Sequence, residues 1–343
     1  MTIQHELLSK IEDNQRIINS HRPFDAEFIK EVQDFYRVGI VYSSNALEGY
    51  TYSISETKIL LEDGLTAGGK PMRDAYAVLR HARAYDYMFS LLKKSSISEE
   101  DILYMLRLIG DSLDNEAVAG AYRENRAFIT GSSYPVSAPQ KIEAEMSALV
   151  EQIAKNEGNL HPVELAAHLH KGLVFIHPFA DGNGRVARLA MNTVLLQNSY
   201  MPVVIPPVLR HEYIESLERA RSDDQDFVNF IARSEIEIQD LLSHSELFFW
   251  GDLDIAGLNI FTQLKSSFPQ IRLSALYEPM LSRLAANGGH PYTKCVGKEG
   301  QKSFRSNDPL VQHLLKACLE QGLDQEALSI EDIRAYAGRG ISF

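Results

Sequence analysis

Ile176-His177-Pro178-Phe179-Ala180-Asp181-Gly182-Asn183-Gly184-Arg185-Val186-Ala187-Arg188 is the stretch on which the reading of this chain turns. Apolar residues at helical spacing flank it over 162–175 and 183–197, so it is the loop of a helix–loop–helix. Gly182 and Gly184 remove side chains where the second helix begins. The first backbone N–H groups then lie open at the positive end of the helix dipole, a ready anion site. Arg185 and Arg188 stand one turn apart on the same helix and add two cations able to bind oxyanions bidentately. Asp181 at the rim is an oxygen ligand of the kind Mg²⁺ takes beside phosphate oxygens. His177 is the group here whose ordinary pKa lets it accept a proton near neutral pH. A histidine beside a proline, or a Gly-x-Gly by itself, is ordinarily structural. Their conjunction with two arginines and a carboxylate describes a phosphoryl- or nucleotidyl-transfer site.

Outward from this loop the chain reads as mainly α up to residue 244. Phe28, Ile29, Val32, Phe35, Tyr36 and Ile40 recur at three- and four-residue steps and predict a helix over 24–47, with Gly49 as its stop. Ser53 and Glu56 have the spacing of a capping box that opens a short helix ending near Gly64. Further helical patterns cover 73–94, 98–112, 140–156, 162–175, 183–197, 210–222 and 225–243. Residues 120–139 break the pattern. Gly120, Gly131, Pro135 and Pro139 surround the β-prone Ala127-Phe128-Ile129-Thr130, which predicts a small β-hairpin flap. Past Ser245, Leu247-Phe248-Phe249-Trp250 closed by Gly251 reads as a buried strand, a helix follows from Ala256, and 271–276 reads as a second strand. The predicted fold class is a mainly α helical bundle with a small β-hairpin flap, plus a small C-terminal α/β tail domain. The expected divisions are 1–110, an N-terminal helical region; 111–244, a core with the flap and the loop; and 245–343, the tail.

The chain has 343 residues, 45% of them apolar and 23% charged, which suits about two globular domains and argues against disorder or a fibrous repeat. Its net charge of -12 repels phosphate backbones at long range and argues against general binding to nucleic acid or an anionic membrane. The excess is uneven: from Glu246 onward 10 basic residues face 11 acidic ones. Cys295 and Cys318 are too few for a disulfide framework and form no C-x-x-C pair. The polar N-terminus has no signal-peptide core and no apolar run is long enough to span a membrane, so a cytoplasmic location is expected.

His177-x-Phe179-x-Asp181-Gly182-Asn183-Gly184-Arg185-x-x-Arg188 resembles the signature of Fic-domain proteins at every specified position. Ala166-Ala167-x-x-His170 before it, and Pro202, Pro206 and Arg210-x-x-Tyr213 after it, extend the resemblance over roughly 25–244. The resemblance implies the Fic fold and transfer of AMP from Mg²⁺-bound ATP to a Ser, Thr or Tyr hydroxyl of a protein target, another chain or this one. His177 would deprotonate the hydroxyl and Asp181 would hold Mg²⁺. Gly182, Asn183 and Gly184 would cradle the α- and β-phosphates, and Arg185 and Arg188 the β- and γ-phosphates. Tyr213 is a candidate adenine contact. The flap, with Tyr122, Arg123, Phe128, Ile129 and Thr130, would align a target segment by strand pairing. The phosphotransferase branch of this fold carries Lys where this chain has Gly184, which favours AMP transfer.

Ser44-x-x-x-Glu48-Gly49 resembles the inhibitory pattern of the Fic subclass whose inhibitory helix precedes the core. Glu48 at its helix end can pair with Arg188 and occupy the arginine meant for the γ-phosphate. A charge-assisted hydrogen bond of ~1.5–3 kcal/mol would suppress productive ATP binding by roughly 10- to 100-fold. Some relatives use the same Glu to remove AMP, so a de-AMPylating activity stays open. So does a nucleotide-sensing switch that serves a DNA-processing partner. A homodimer is compatible with the sequence but not required by it.

Other signals carry less. Gly64-Leu65-Thr66-Ala67-Gly68-Gly69-Lys70-Pro71 is a near miss to a P-loop, because Pro71 replaces the Mg²⁺-binding hydroxyl. His161, His168 and His170 lack zinc-site spacing. In the tail, Asp252 and Asp254 just past a strand resemble the Asp-x-Asp strand end of Toprim domains and offer a divalent-metal position. With 264–280 and Gln325-Glu326, the tail resembles the C-terminal region of the Toprim nuclease subunit of Wadjet plasmid-defence systems. The earlier strand Glu of a complete Toprim site is missing, which points to an accessory or partner-binding remnant.

Overall fold

Reciprocal caps at two serines set where the early helices begin. In this computed structural model, Ser53 and Ser98 each accept a backbone N–H three residues on, while Glu56 and Asp101 reach back to the serine N–H. The structure describes residues 3–24, 26–110, 120–129, 132, 134–243, 247–267, 271–292, 304–336 and 338–341, in two compact units, 1–243 and 244–343. The first unit contains helices α1 (His5–Ser20), α2 (Ala26–Leu47), α3 (Ile54–Asp63), α4 (Met72–Ser90), α5 (Glu99–Ile109) and α6 (Ile142–Asn156), then α7 (Pro162–Ile176), α8 (Asn183–Gln197), α9 (Arg210–Arg219) and α10 (Gln225–Ser243). Among its described residues no helix is long and apolar enough to cross a membrane.

Helix α8 lies at the centre. Every residue from Arg185 to Leu195 is buried, against α7 on one side and α2, α4 and α5 on the others. A helix so enclosed can carry polar side chains only if partners are supplied. Asn192 shows how: its amide donates to the Val203 carbonyl (2.9 Å) and accepts the Val203 N–H (2.8 Å), pinning the following segment to the helix.

Two features depart from the sequence reading. Residues 5–20, polar in composition, form α1. Its buried stripe contains Asn14 and Gln15 beside Ile11 and Ile18, so the apolar periodicity is masked. Those two amides are satisfied by Asp240 (2.7 Å) and by the Ser199 carbonyl (2.8 Å), which docks α1 on α10. The second departure is the expected hairpin. Among the described residues of 120–139 there is no strand. The legs of this loop are joined by the Arg123 side chain, which donates to the Asn125 and Ser137 carbonyls in place of a backbone ladder. Thr130 and Gly131, and the predicted helix end at 111–112, lie outside the described residues.

The second unit contains β1 (Leu247–Phe249), α11 (Ile255–Ser267), β2 (Ile271–Leu273), α12 (Tyr277–Asn287), β3 (His290–Pro291), α13 (Pro309–Ala317), β4 (Gln321–Gly322) and α14 (Ile330–Tyr336). β1 and β2 pair in parallel with Phe248 opposite Arg272, and β3 pairs antiparallel with β4. Leu258, Phe261, Tyr277, Met280, Val311 and Leu314 form its core.

Asn192→Ala strands the N–H and the carbonyl of Val203 in a buried setting. The unfolding transition of the first unit should lose about 2–4 kcal/mol, read by urea titration.

Candidate active site

Helix α7 ends at His177, which takes a left-handed conformation (φ 51°, ψ 57°) and returns its N–H to Leu173 O at 2.9 Å. Pro178 prevents the helix from continuing. The loop is then latched internally: the Asn183 amide accepts the Phe179 N–H and donates to the Phe179 carbonyl, both at 2.9 Å. Phe179 is buried and stacked on Tyr122. Gly182 caps α8 with φ 82°, and a side chain there would press on Leu106 and Ile109. The sequence-predicted cradle is therefore a backbone feature. The Asn183 side chain is committed to holding the loop.

Glu48 follows the last turn of α2, where Gly49 N–H returns to Ala46 O and Tyr50 N–H to Asn45 O. This fold-back brings the Glu48 carboxylate over the start of α8. Its Oε1 accepts from Arg188 Nη2 at 2.6 Å and lies against the place where a Cβ on residue 184 would stand. A side chain at 184 would displace the carboxylate from this resting position. Arg188 is buried and further donates to Ser44 Oγ (2.8 Å) and the Ser44 carbonyl (3.0 Å), with a longer contact to the Tyr213 hydroxyl at 3.4 Å. Burial by itself lowers the pKa of Arg188, and the Glu48 charge and Tyr213 outweigh it to leave the net value raised. The guanidinium stays fully charged.

Tyr213, the candidate adenine contact, lies in the interior. It is 3% exposed, packed among His170, Phe227 and Phe230, with its hydroxyl 2.9 Å from His170 Nε2. Burial first, then the Arg188 charge, pushes His170 down to about 3, so its ring is neutral and shares a hydrogen bond with the Tyr213 hydroxyl. Tyr213 and His170 thus support Arg188 from behind. His81 of α4 is also missing from the sequence reading. It is fully buried, driven well below its ordinary pKa by burial and then by Arg185 and Arg188. Its position in a run of helical apolar spacing gave no signal, whereas His170 lies on α7 and His177 directly follows that helix.

Arg185 donates to Asp181 Oδ2 at 2.9 Å and stacks over the Tyr50 ring at 5.2 Å. The Asp181 side chain is 73% exposed at the mouth of the loop, which fits a carboxylate offering oxygen to a divalent cation that arrives with phosphate. In the flap, Tyr122 and Arg123 point inward. Tyr122 donates to Glu99 Oε1 (2.5 Å) and Arg123 is buried against backbone carbonyls, so both polar ends are engaged within the chain. Phe128 faces out at 82% exposure, Ile129 is half-buried, and Thr130 lies outside the described residues. His177 is half-buried. Its pKa is lowered by burial and then by the Arg123 charge, with the Val174 carbonyl and Glu48 pulling the other way and Arg221 adding to the decrease.

Asp252 and Asp254 of the tail are occupied as structural acceptors: Asp254 Oδ1 takes the Gly257 N–H (2.7 Å) at the start of α11, and Asp252 Oδ1 takes the Gln325 N–H (3.0 Å). Among the described residues no group of three or more His, Cys, Asp or Glu is placed to hold a metal ion. His161 and His168 are engaged separately, with Glu12 and Asp224.

Residues 96–195 match the sequence model of the Fic/DOC family, across the loop and α8. The chain carries a Fic domain. Residues 229–336 match a second model, the Wadjet protein JetD, C-terminal. The chain is 35% identical over 236 residues to the protein adenylyltransferase Fic of Nematostella vectensis, covering 67% of this chain and 54% of that protein. It thus spans about half the length of this curated relative. A Fic-domain signalling protein from Bacteroides thetaiotaomicron superposes with a TM-score of 0.63 at 28% identity, over 68% of this chain and 95% of that one. A Fic family protein from Desulfovibrio desulfuricans shares the fold at 19% identity, with a TM-score of 0.56 over 98% of this chain and 88% of the other. The mainly helical unit containing the Fic domain is consistent with these neighbours.

The lowered pKa of His177 keeps its imidazole neutral at pH 7. In an NMR titration of histidine-labelled protein its midpoint should fall below the ordinary value near 6.5, so that the ring gains a proton only on further acidification.

Proposed function

We propose that this protein transfers AMP from ATP to a Ser, Thr or Tyr hydroxyl of a protein, either a separate target or a second copy of itself, and that Glu48 holds the reaction back. One observation carries the reading. The Glu48 carboxylate stands on Arg188 above the glycine-lined start of α8, where an anion is favoured by the helix dipole and by two arginines. A carboxylate in that place is a local substitute for a phosphate oxygen. The relative in Nematostella vectensis is named for the same adenylyl transfer, which supports the choice of reaction.

His177 would take the proton of the attacking hydroxyl as its oxygen bonds the α-phosphorus. The bond to the β-phosphate bridging oxygen then breaks, and pyrophosphate leaves with that electron pair. Arg185, Arg188 and the N–H groups beginning α8 would bear the negative charge of the phosphates. Asp181 would hold Mg²⁺, which supplies charge neutralisation at the phosphate oxygens. With Glu48 on Arg188, one cation is withdrawn from the nucleotide. The pair is only partly desolvated, since the Glu48 side chain is 37% exposed, so the restraint is moderate and reversible.

The test is transfer of label from α-phosphate-labelled ATP with Mg²⁺. Glu48→Gly should label protein about 10- to 100-fold above the parent. Glu48→Gly combined with His177→Ala should give none. If Glu48→Gly binds ATP and still labels neither itself nor a cell lysate, AMP transfer is not its activity; release of AMP from a previously modified protein would then assign removal.

A further inference from the structure

We infer that Arg123 is a positioning residue: it clamps the backbone that carries His177, and holds the base by its own carbonyl without touching nucleotide or target. The clamp is explicit in the geometry. The Arg123 N–H donates to Pro178 O at 2.9 Å, Nε donates to His177 O at 2.7 Å, and Nη2 lies 3.4 Å from Ile176 O. One residue therefore reads three consecutive carbonyls, at 176, 177 and 178. The other side of the guanidinium donates to Asn125 O at 2.7 Å and to Ser137 O, one on each leg of the flap. Arg123 is 7% exposed, and every partner in this set is a main-chain oxygen. Among the described residues no carboxylate pairs with it.

The demand for such a clamp comes from residue 177 itself. A non-glycine residue in the left-handed region is strained and persists only where its surroundings over-determine it. Both backbone groups of His177 are held, the N–H by Leu173 O and the carbonyl by Arg123. A planar fork with five N–H donors can satisfy this set of carbonyls at once, and an ammonium cannot do so in the same plane. The arrangement also puts a fixed cation beside the imidazole. The charged groups acting on His177 are Arg123 from the flap and Arg221 after α9, which favour the neutral ring, and Glu48 from the end of α2, which opposes them. Flap and base thus share one side chain, so the placement of the flap and the readiness of the base are set together.

The effect on rate rests on the adenylyl-transfer reading; the clamp does not. The test uses the full chain carrying Glu48→Gly, with ATP as nucleotide, the chain itself as hydroxyl donor, and His177 followed by NMR of labelled histidine. Arg123→Gln should lower kcat at least ten-fold, leave KM for ATP within two-fold, and move the His177 midpoint upward. Arg123→Lys restores the charge but not the fork. It should keep the midpoint near that of the parent while kcat stays at least three-fold down, and it serves where Arg123→Gln fails to fold. A parent-like midpoint in folded Arg123→Gln overturns the proposal, and so does parent-like kcat in Arg123→Lys. If the Glu48→Gly chain transfers no AMP at all, the transfer reading fails on its own, and the midpoint in Arg123→Gln still decides the clamp.

Discussion

A buried guanidinium is the constraint from which the first unit is arranged. Arg188 sits on a helix whose neighbouring residues are all enclosed, and a charge there persists only if each edge of the group finds an acceptor. Ser44 supplies two oxygens, Glu48 one and Tyr213 a distant fourth. The phenol in turn leans on a histidine kept neutral by its burial. Four segments far apart in sequence, the end of α2, the middle of α7, α8 and α9, are thereby drawn to one point. Hydrophobic packing brings them near; the requirement to satisfy Arg188 fixes their orientation.

The loop before α8 follows a complementary logic. Its order comes from short-range devices: a left-handed histidine, a proline that bars the helix, an asparagine that closes on Phe179, and a glycine cap. None of these needs a ligand. The anion site at the start of α8 is therefore preorganised, and its occupant is chosen by which anion comes within reach of Arg188. In the closed arrangement that anion belongs to the chain itself.

Much of this was legible in the sequence because it is local. The spacing from His177 to Arg188 names a loop and a helix start, and the helices at 183–197 and 225–243 follow from apolar periodicity. The contact between Glu48 and Arg188 could be anticipated because Ser44-x-x-x-Glu48-Gly49 resembles the inhibitory pattern that accompanies the Fic signature; a glutamate at a helix end is otherwise usually solvated. What escaped depended on partners distant in sequence. α1 was hidden because Asn14 and Gln15 occupy its buried face, and their acceptors lie more than 180 residues away. Tyr213 was a candidate adenine contact only through the family resemblance, and its sequence neighbours do not announce its packing on His170. Arg123 read as part of a target-facing flap because sequence shows a cation and cannot show that carbonyls surround it. The tail aspartates looked like metal ligands for the same reason, since backbone N–H groups leave no trace in a sequence.

The absent side chain at 184 has a consequence for how this chain can diverge. The hydrogen that stands in place of a methyl there is what admits the Glu48 oxygen, with Arg188 Nη1 only 3.1 Å from the same point. A Cβ at 184 would meet the Glu48 carboxylate, so that flexible side chain would have to shift from its resting place beside Arg188. Positions 48, 184 and 188 are in this sense a single steric unit. A change in the bulk of residue 184 is therefore felt first at the pair formed by Glu48 and Arg188.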